Sequence, residues 1–143
     1  MANWPWFTII TAVVAVYGAV LSTLNYCSQR RRDQQATVLA WDEVREAIPE
    51  GGFPQLESAS RLTPEERTAL RKMEHFSACI NSGTYDVDIF VELSQSWFLQ
   101  QYGKIKPHID HRDNLAAYSE LESLYQKVSS MRAGSGIFRR LFP

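Results

Sequence analysis

From Trp6 to Cys27 the chain runs 22 residues without a charged side chain, and from Arg30 onward apolar residues recur at helical spacing. At 1.5 Å per residue the first stretch is roughly 33 Å long as a helix, enough for the roughly 30 Å hydrocarbon core of a bilayer. After it, Val38, Trp41, Val44 or Arg45, and Ile48 mark one face of a second helical segment. Gln34, Gln35 and Ala36 favour helix, so the two segments are expected to run on unbroken. Pro49, Gly51-Gly52 and Pro54 end that helix near Ile48 and leave 49–62 as a loop.

Thr63-Pro64-Glu65-Glu66 supplies a cap hydroxyl, a proline in the first turn and a glutamate three residues after the cap. The stripe Ala69, Leu70, Met73, Phe76 and Ile80 comes next, and Gly83 stops it. Asp86 caps a further helix with Ile89, Phe90, Leu93, Trp97 and Phe98 expected inward. Val87, Val91 and Leu99 widen that face, which predicts the most buried helix of the set. Gly103 is expected to interrupt it, and Pro107 to bend or end its continuation. Asp113 or Asn114 then opens a last helix with Leu115, Tyr118, Leu121, Leu124, Tyr125, Val128 and Met131 inward. No useful length of strand alternation occurs. The fold class predicted is all-α: one N-terminal transmembrane helix (1–29 with its outer segment), a juxtamembrane helix (30–48), a loop (49–62), a small cytoplasmic helical bundle (63–132) and a flexible tail (133–143).

Charge sharpens the membrane expectation. All 15 basic and 16 acidic side chains lie from Arg30 onward. A cleaved signal peptide carries its positive charge before the apolar run, whereas Arg30, Arg31 and Arg32 come after it. A buried soluble helix is the other alternative, but so small a chain has little protein to surround one. Trp4 and Trp6 on one flank and Tyr26 on the other suit the two interfaces, and Pro5 suits a first turn. The arginine triplet places the N-terminus outside and the rest in the cytoplasm, at the inner (plasma) membrane. Asn25, near the helix end, is expected to reach the interface.

Within the span Thr11, Ala15, Ala19 and Thr23 recur every four residues, with Gly18 and Ser22 beside them. Such a strip allows close approach of a second helix, although small residues are common in membrane helices for other reasons. The near-neutral remainder, in a chain of net charge −1, argues against nucleic acid. Cys27 and Cys79 do not suggest a disulfide framework; Cys27 is juxtamembrane, where acylation occurs, but a small apolar residue at a helix end is the better explanation.

The segment MEHFSACINSGTYDVDIFVELSQSWFLQQYGKIKPHIDHR resembles the core of an uncharacterised bacterial family, domain of unknown function 4760. Glu74, Phe76, Gly83, Asp86, Trp97, Tyr102, Pro107, Ile109 and Arg112 carry the likeness. It extends over about residues 6–130, because many relatives also begin with a membrane helix. The resemblance implies the architecture and no activity. Each matched residue also reads as a cap, turn, core aromatic or helix stop.

Candidate chemistry is sparse. His75 and Cys79 stand one helical turn apart, and His108, Asp110 and His111 form a second polar group, yet no metal-binding motif spans them. A Cys79–His75 nucleophile pair lacks an orienting group or oxyanion loop. Asp42, Glu43, Glu46, Glu120 and Glu122 read as solvated helix faces, and Glu74 and Arg112 as an ion pair. The tail mixes Arg139 and Arg140 with Ile137, Phe138, Leu141 and Phe142 after a Gly/Ser linker, a composition that docks on an anionic membrane or a partner, or frays. The function expected is a single-pass membrane-anchored helical interaction module, an accessory subunit or scaffold. It has no enzyme activity, cofactor, catalytic residue or metal, and no small-molecule substrate or nucleic acid. Its partners are membrane lipid and other membrane subunits or a second copy. The alternative is a signal-responsive or ligand- or metal-binding cytoplasmic domain, as in a stress or phage-defence system.

Overall fold

A computed structural model describes the backbone of residues 5–58, 61–111 and 114–141, and the side chains of 6–58, 61–111 and 114–131. Its elements are α1 (Pro5–Ala47), α2 (Pro64–Asn81), α3 (Val87–Ile109), a 3₁₀ turn (Leu115–Tyr118) and α4 (Ser119–Leu141). No strand occurs among the described residues, so the all-helical expectation holds.

α1 is one rod of 43 residues, roughly 65 Å long at the standard rise. Its first half has apolar side chains on every face, and every described residue from Trp6 to Arg32 is exposed. The second half is amphipathic: Thr37, Trp41, Val44 and Ile48 are buried, while Asp42, Glu43, Arg45 and Glu46 face out. The rod therefore changes character without changing secondary structure. It ends before Pro49, where Gly52 N–H closes a turn on the Pro49 carbonyl at 2.9 Å. Gly51 and Gly52 take φ of +89° and +87°, a backbone region that favours glycine. The loop after them is anchored to α3, because Phe53 N–H donates to Gln101 Oε1 (2.8 Å) and Leu56 N–H to the Lys104 carbonyl (3.0 Å). Phe53 and Leu56 are both buried.

α2 starts with the expected reciprocal cap. Glu66 N–H donates to Thr63 Oγ1 at 3.2 Å, and Thr63 N–H to Glu66 Oε2 at 2.8 Å. It stops at Ser82 and Gly83, the latter at φ +78°. Asp86 Oδ1 then accepts from the N–H groups of Asp88 and Ile89 (2.9 and 3.3 Å), starting α3 as expected. That cap is tied to α1: Asp86 N–H donates to the buried Thr37 hydroxyl at 2.8 Å.

The core centres on Trp41. Its ring packs against Phe76, Phe90, Trp97 and Phe98 with centroids 5.2, 4.8, 5.7 and 6.5 Å away, so residues from α1, α2 and α3 meet on one indole. Burying each such side chain is worth about 1.5–3 kcal/mol before the entropy of ordering it. α2 makes its broadest contacts with α4 and α1, and α3 closes the bundle against both of those.

Four expectations need correction. Leu93 is 55% exposed, because the buried stripe of α3 runs through Phe90, Ser94 and Phe98. Ser94 takes the inward place because its hydroxyl accepts the Trp41 indole N–H, a donor that would otherwise be stranded in the core. Leu115 is 51% exposed because it opens a 3₁₀ turn, whose tighter pitch breaks the register extrapolated back from Leu121. Gly103 and Pro107 do not interrupt α3, which continues to Ile109. The N–H that Pro107 lacks would have reached the Gly103 carbonyl, so one bond is lost in the last turns. Lastly, α4 continues as helix to Leu141 where a Gly/Ser linker was expected.

Candidate functional site

The residues singled out in the apolar half of α1, Thr11, Ala15, Gly18, Ala19, Ser22 and Thr23, are all exposed. Thr11 and Thr23 donate their hydroxyls to the carbonyls of Phe7 and Ala19 (2.9 and 2.8 Å), which satisfies both within the helix. Arg30, Arg31 and Arg32 are exposed as well. The tail side chains of Ile137, Phe138, Arg139, Arg140 and Leu141, and all of Phe142, lie outside the described residues.

Beside the arginines the bundle returns to α1. A cavity of about 520 Å³ is bounded by Tyr26, Arg30 and Asp33 on one side and by Gly83, Tyr85 and Asp86 on the other. The turn between α2 and α3 thus sits level with the end of the apolar stretch.

The histidine–cysteine groups do not converge. Cys79 Sγ lies 3.9 Å from His75 Nε2 on an outer face of α2. Nearby, Lys72 pairs with Glu43 at 2.9 Å and holds that carboxyl below its ordinary range. His108 is buried near the end of α3, whereas His111 is exposed. No three His, Cys, Asp or Glu side chains stand close enough to share a metal among the described residues.

Two carboxylates expected on solvated faces, Glu120 and Glu122, are structural. Glu122 accepts from the Tyr102 hydroxyl and the Gln126 amide; the tyrosine bond holds its carboxyl below the ordinary range, opposed by partial burial. Burial and the same carboxylate push the Tyr102 phenol upward. Glu120 accepts from Asn81 at 2.8 Å. Glu74 accepts from the backbone N–H groups of Glu120 and Leu121 (3.0 and 2.8 Å), so α2 caps the start of α4. Arg112, its expected ion-pair partner, lies outside the described residues.

Sequence reasoning missed a third region. Arg61, Arg67 and Arg71 line a cavity of about 630 Å³ together with His108, Asn114 and Tyr118. His108 is 7% exposed, and its Nδ1 has no hydrogen-bond partner among the described residues. Asn114 Nδ2 lies 3.0 Å from the His108 carbonyl and 3.2 Å from Nε2, so Nε2 accepts and the proton of the neutral ring sits on Nδ1. Burial, helped by His111, lowers the His108 pKa and favours that neutral ring. The Arg67–Arg71 spacing of one helical turn was the available signal, but Arg61 and His108 join it only through the fold.

These features define a class: a small helical bundle built onto the end of a long, exposed apolar helix. The family described as Domain of unknown function (DUF4760) matches residues 6–128, and the chain belongs to that family. The match takes in both the apolar half of α1 and the bundle, so the two are parts of one family unit. No curated protein and no solved structure gives a significant match.

Proposed function

We propose that this chain is a membrane-tethered helical interaction module, an accessory subunit or scaffold held at the inner face of a plasma membrane by a single span. The observation that carries the proposal is the division of α1. Its apolar half from Trp6 to Cys27 is exposed throughout, while its other half is packed into the bundle. Exposed apolar surface on every face of a helix is stable in lipid and not in water. The arginine triplet supports an outer N-terminus and a cytoplasmic bundle. The small-residue strip, with its threonine hydroxyls satisfied inside the helix, suits contact with another span.

The test uses the full chain in its native membrane, with both cysteines replaced by serine. The chain is expected to resist alkaline extraction. A membrane-impermeant maleimide should label Ala2→Cys on intact cells and Ser58→Cys only after lysis. Extraction at alkaline pH, or the reverse labelling pattern, overturns the anchor or its orientation. Purification in mild detergent should bring down a membrane protein that Gly18→Leu with Ala15→Leu releases. A chain that elutes alone as a monomer sinks the accessory role.

A further inference from the structure

We infer that the cavity between the start of α2 and the end of α3 is a binding site for a phosphate-bearing ligand, held by Arg61, Arg67, Arg71 and the Nδ1–H of His108. The inference does not depend on membrane anchoring.

The charge balance is one-sided. Three guanidinium groups line the cavity, and among the described residues no carboxylate lines it and none of the three forms an ion pair. Both Arg67 and Arg71 exert their charge on the Tyr118 phenol, which places them at the same wall. Glu66 is the acidic group whose charge is felt at His108, and its Oε2 is committed to the Thr63 N–H. Glu74 likewise acts on the Tyr118 phenol, but its two oxygens are taken by the Glu120 and Leu121 N–H groups. Three like charges facing two committed carboxylates favour an anion.

His108 supplies the second, independent observation. A buried donor without an acceptor carries the full cost of its lost hydration, and a native fold rarely leaves one without a use. Here Asn114 occupies Nε2, which leaves the proton of the neutral ring on Nδ1, a buried donor on a residue that lines the cavity. A neutral N–H and planar guanidinium forks are the donors that match phosphate oxygens. A carboxylate would satisfy fewer of them. Nucleic acid needs an extended basic track, and the charges here are gathered at one cavity in a chain of net charge −1. At about 630 Å³ the cavity exceeds a single phosphate and falls within the usual range for small ligands. The remaining lining, Leu62, Ala117 and the Tyr118 ring, suits an organic remainder.

The source of the phosphate, a soluble metabolite or a lipid headgroup, is separated by two probes on the full chain. In the first, inorganic pyrophosphate is titrated at fixed ionic strength into protein in an uncharged detergent, and binding is monitored by calorimetry and by Tm. In the second, the protein is placed in nanodiscs of phosphatidylcholine with or without phosphatidic acid, and Tm is compared. Saturable binding in the first arm marks a soluble ligand. Stabilisation by phosphatidic acid alone marks a headgroup. In either case Arg67→Gln with Arg71→Gln should weaken the response tenfold or more, as expected for the loss of charge-assisted bonds. Both positions are exposed, so the double variant should fold, and an unchanged Tm without ligand checks this. His108→Asn should also weaken binding. The proposal is overturned if neither probe responds, or if the response survives in the arginine variant.

Discussion

Glu74 shows how much one side chain does in this fold. Its two oxygens satisfy the first backbone donors of α4 from a neighbouring helix, replacing the local cap that the 3₁₀ turn does not provide. An anion there also faces the positive end of the α4 dipole. Glu74→Ala should therefore cost about 1–2 kcal/mol, and Glu74→Gln, which keeps one acceptor but loses the charge, about half as much. Thermal or chemical unfolding of the full chain in detergent measures both. Equal losses for the two would mean that the charge is idle, and a neutral Glu74→Ala would remove the capping role. Sequence reasoning could single out Glu74 from the family likeness but not its capping role, since a side chain that caps another helix through backbone N–H groups leaves no spacing signal. Local caps were legible for the opposite reason. Thr63 with Glu66, Asp86 and Gly83 act within three or four residues of themselves.

At the scale of elements, helix faces were read correctly where apolar packing alone decides them. The stripe of Ala69, Leu70, Met73, Phe76 and Ile80 is buried throughout. On α3 a polar pairing decided instead: the Trp41 indole selects Ser94, and Leu93 turns outward. The long α1 was foreseen as continuous, and its two halves should respond differently to a helix breaker. Ala36 and Leu39 are both exposed, so a substitution at either acts mainly through the backbone. Leu39→Pro falls between the buried Thr37 and Trp41, and should cost about 3 kcal/mol or more because it displaces the core indole. Ala36→Pro falls before the first buried residue. It should leave the unfolding of the bundle within about 1 kcal/mol of the parent, the remaining cost being local. Near-UV circular dichroism melts compare the two. Equal destabilisation would show that the core draws on α1 well ahead of Thr37.

For the whole molecule, the same division says which part is self-sufficient. All described contacts that build the core begin at or after Thr37: the Asp86 cap is tied to Thr37, and the aromatic cluster is organised on Trp41. The apolar half contributes no buried residue to that core. A chain starting at Arg30 retains every one of those contacts and sheds the surface least compatible with water. It should be monomeric and helical without detergent, and should melt cooperatively, with a midpoint close to that of the bundle in the full chain. A chain starting at Glu43 loses Thr37 and Trp41 together. Removal of a central aromatic costs about 3–5 kcal/mol by itself, comparable with the total stability of a small domain, so that chain should not fold. Circular dichroism with analytical ultracentrifugation distinguishes the outcomes. If the chain starting at Arg30 aggregates or melts without a transition, the apolar half supports the bundle directly, and the separation of α1 into an exposed apolar part and a core part is wrong.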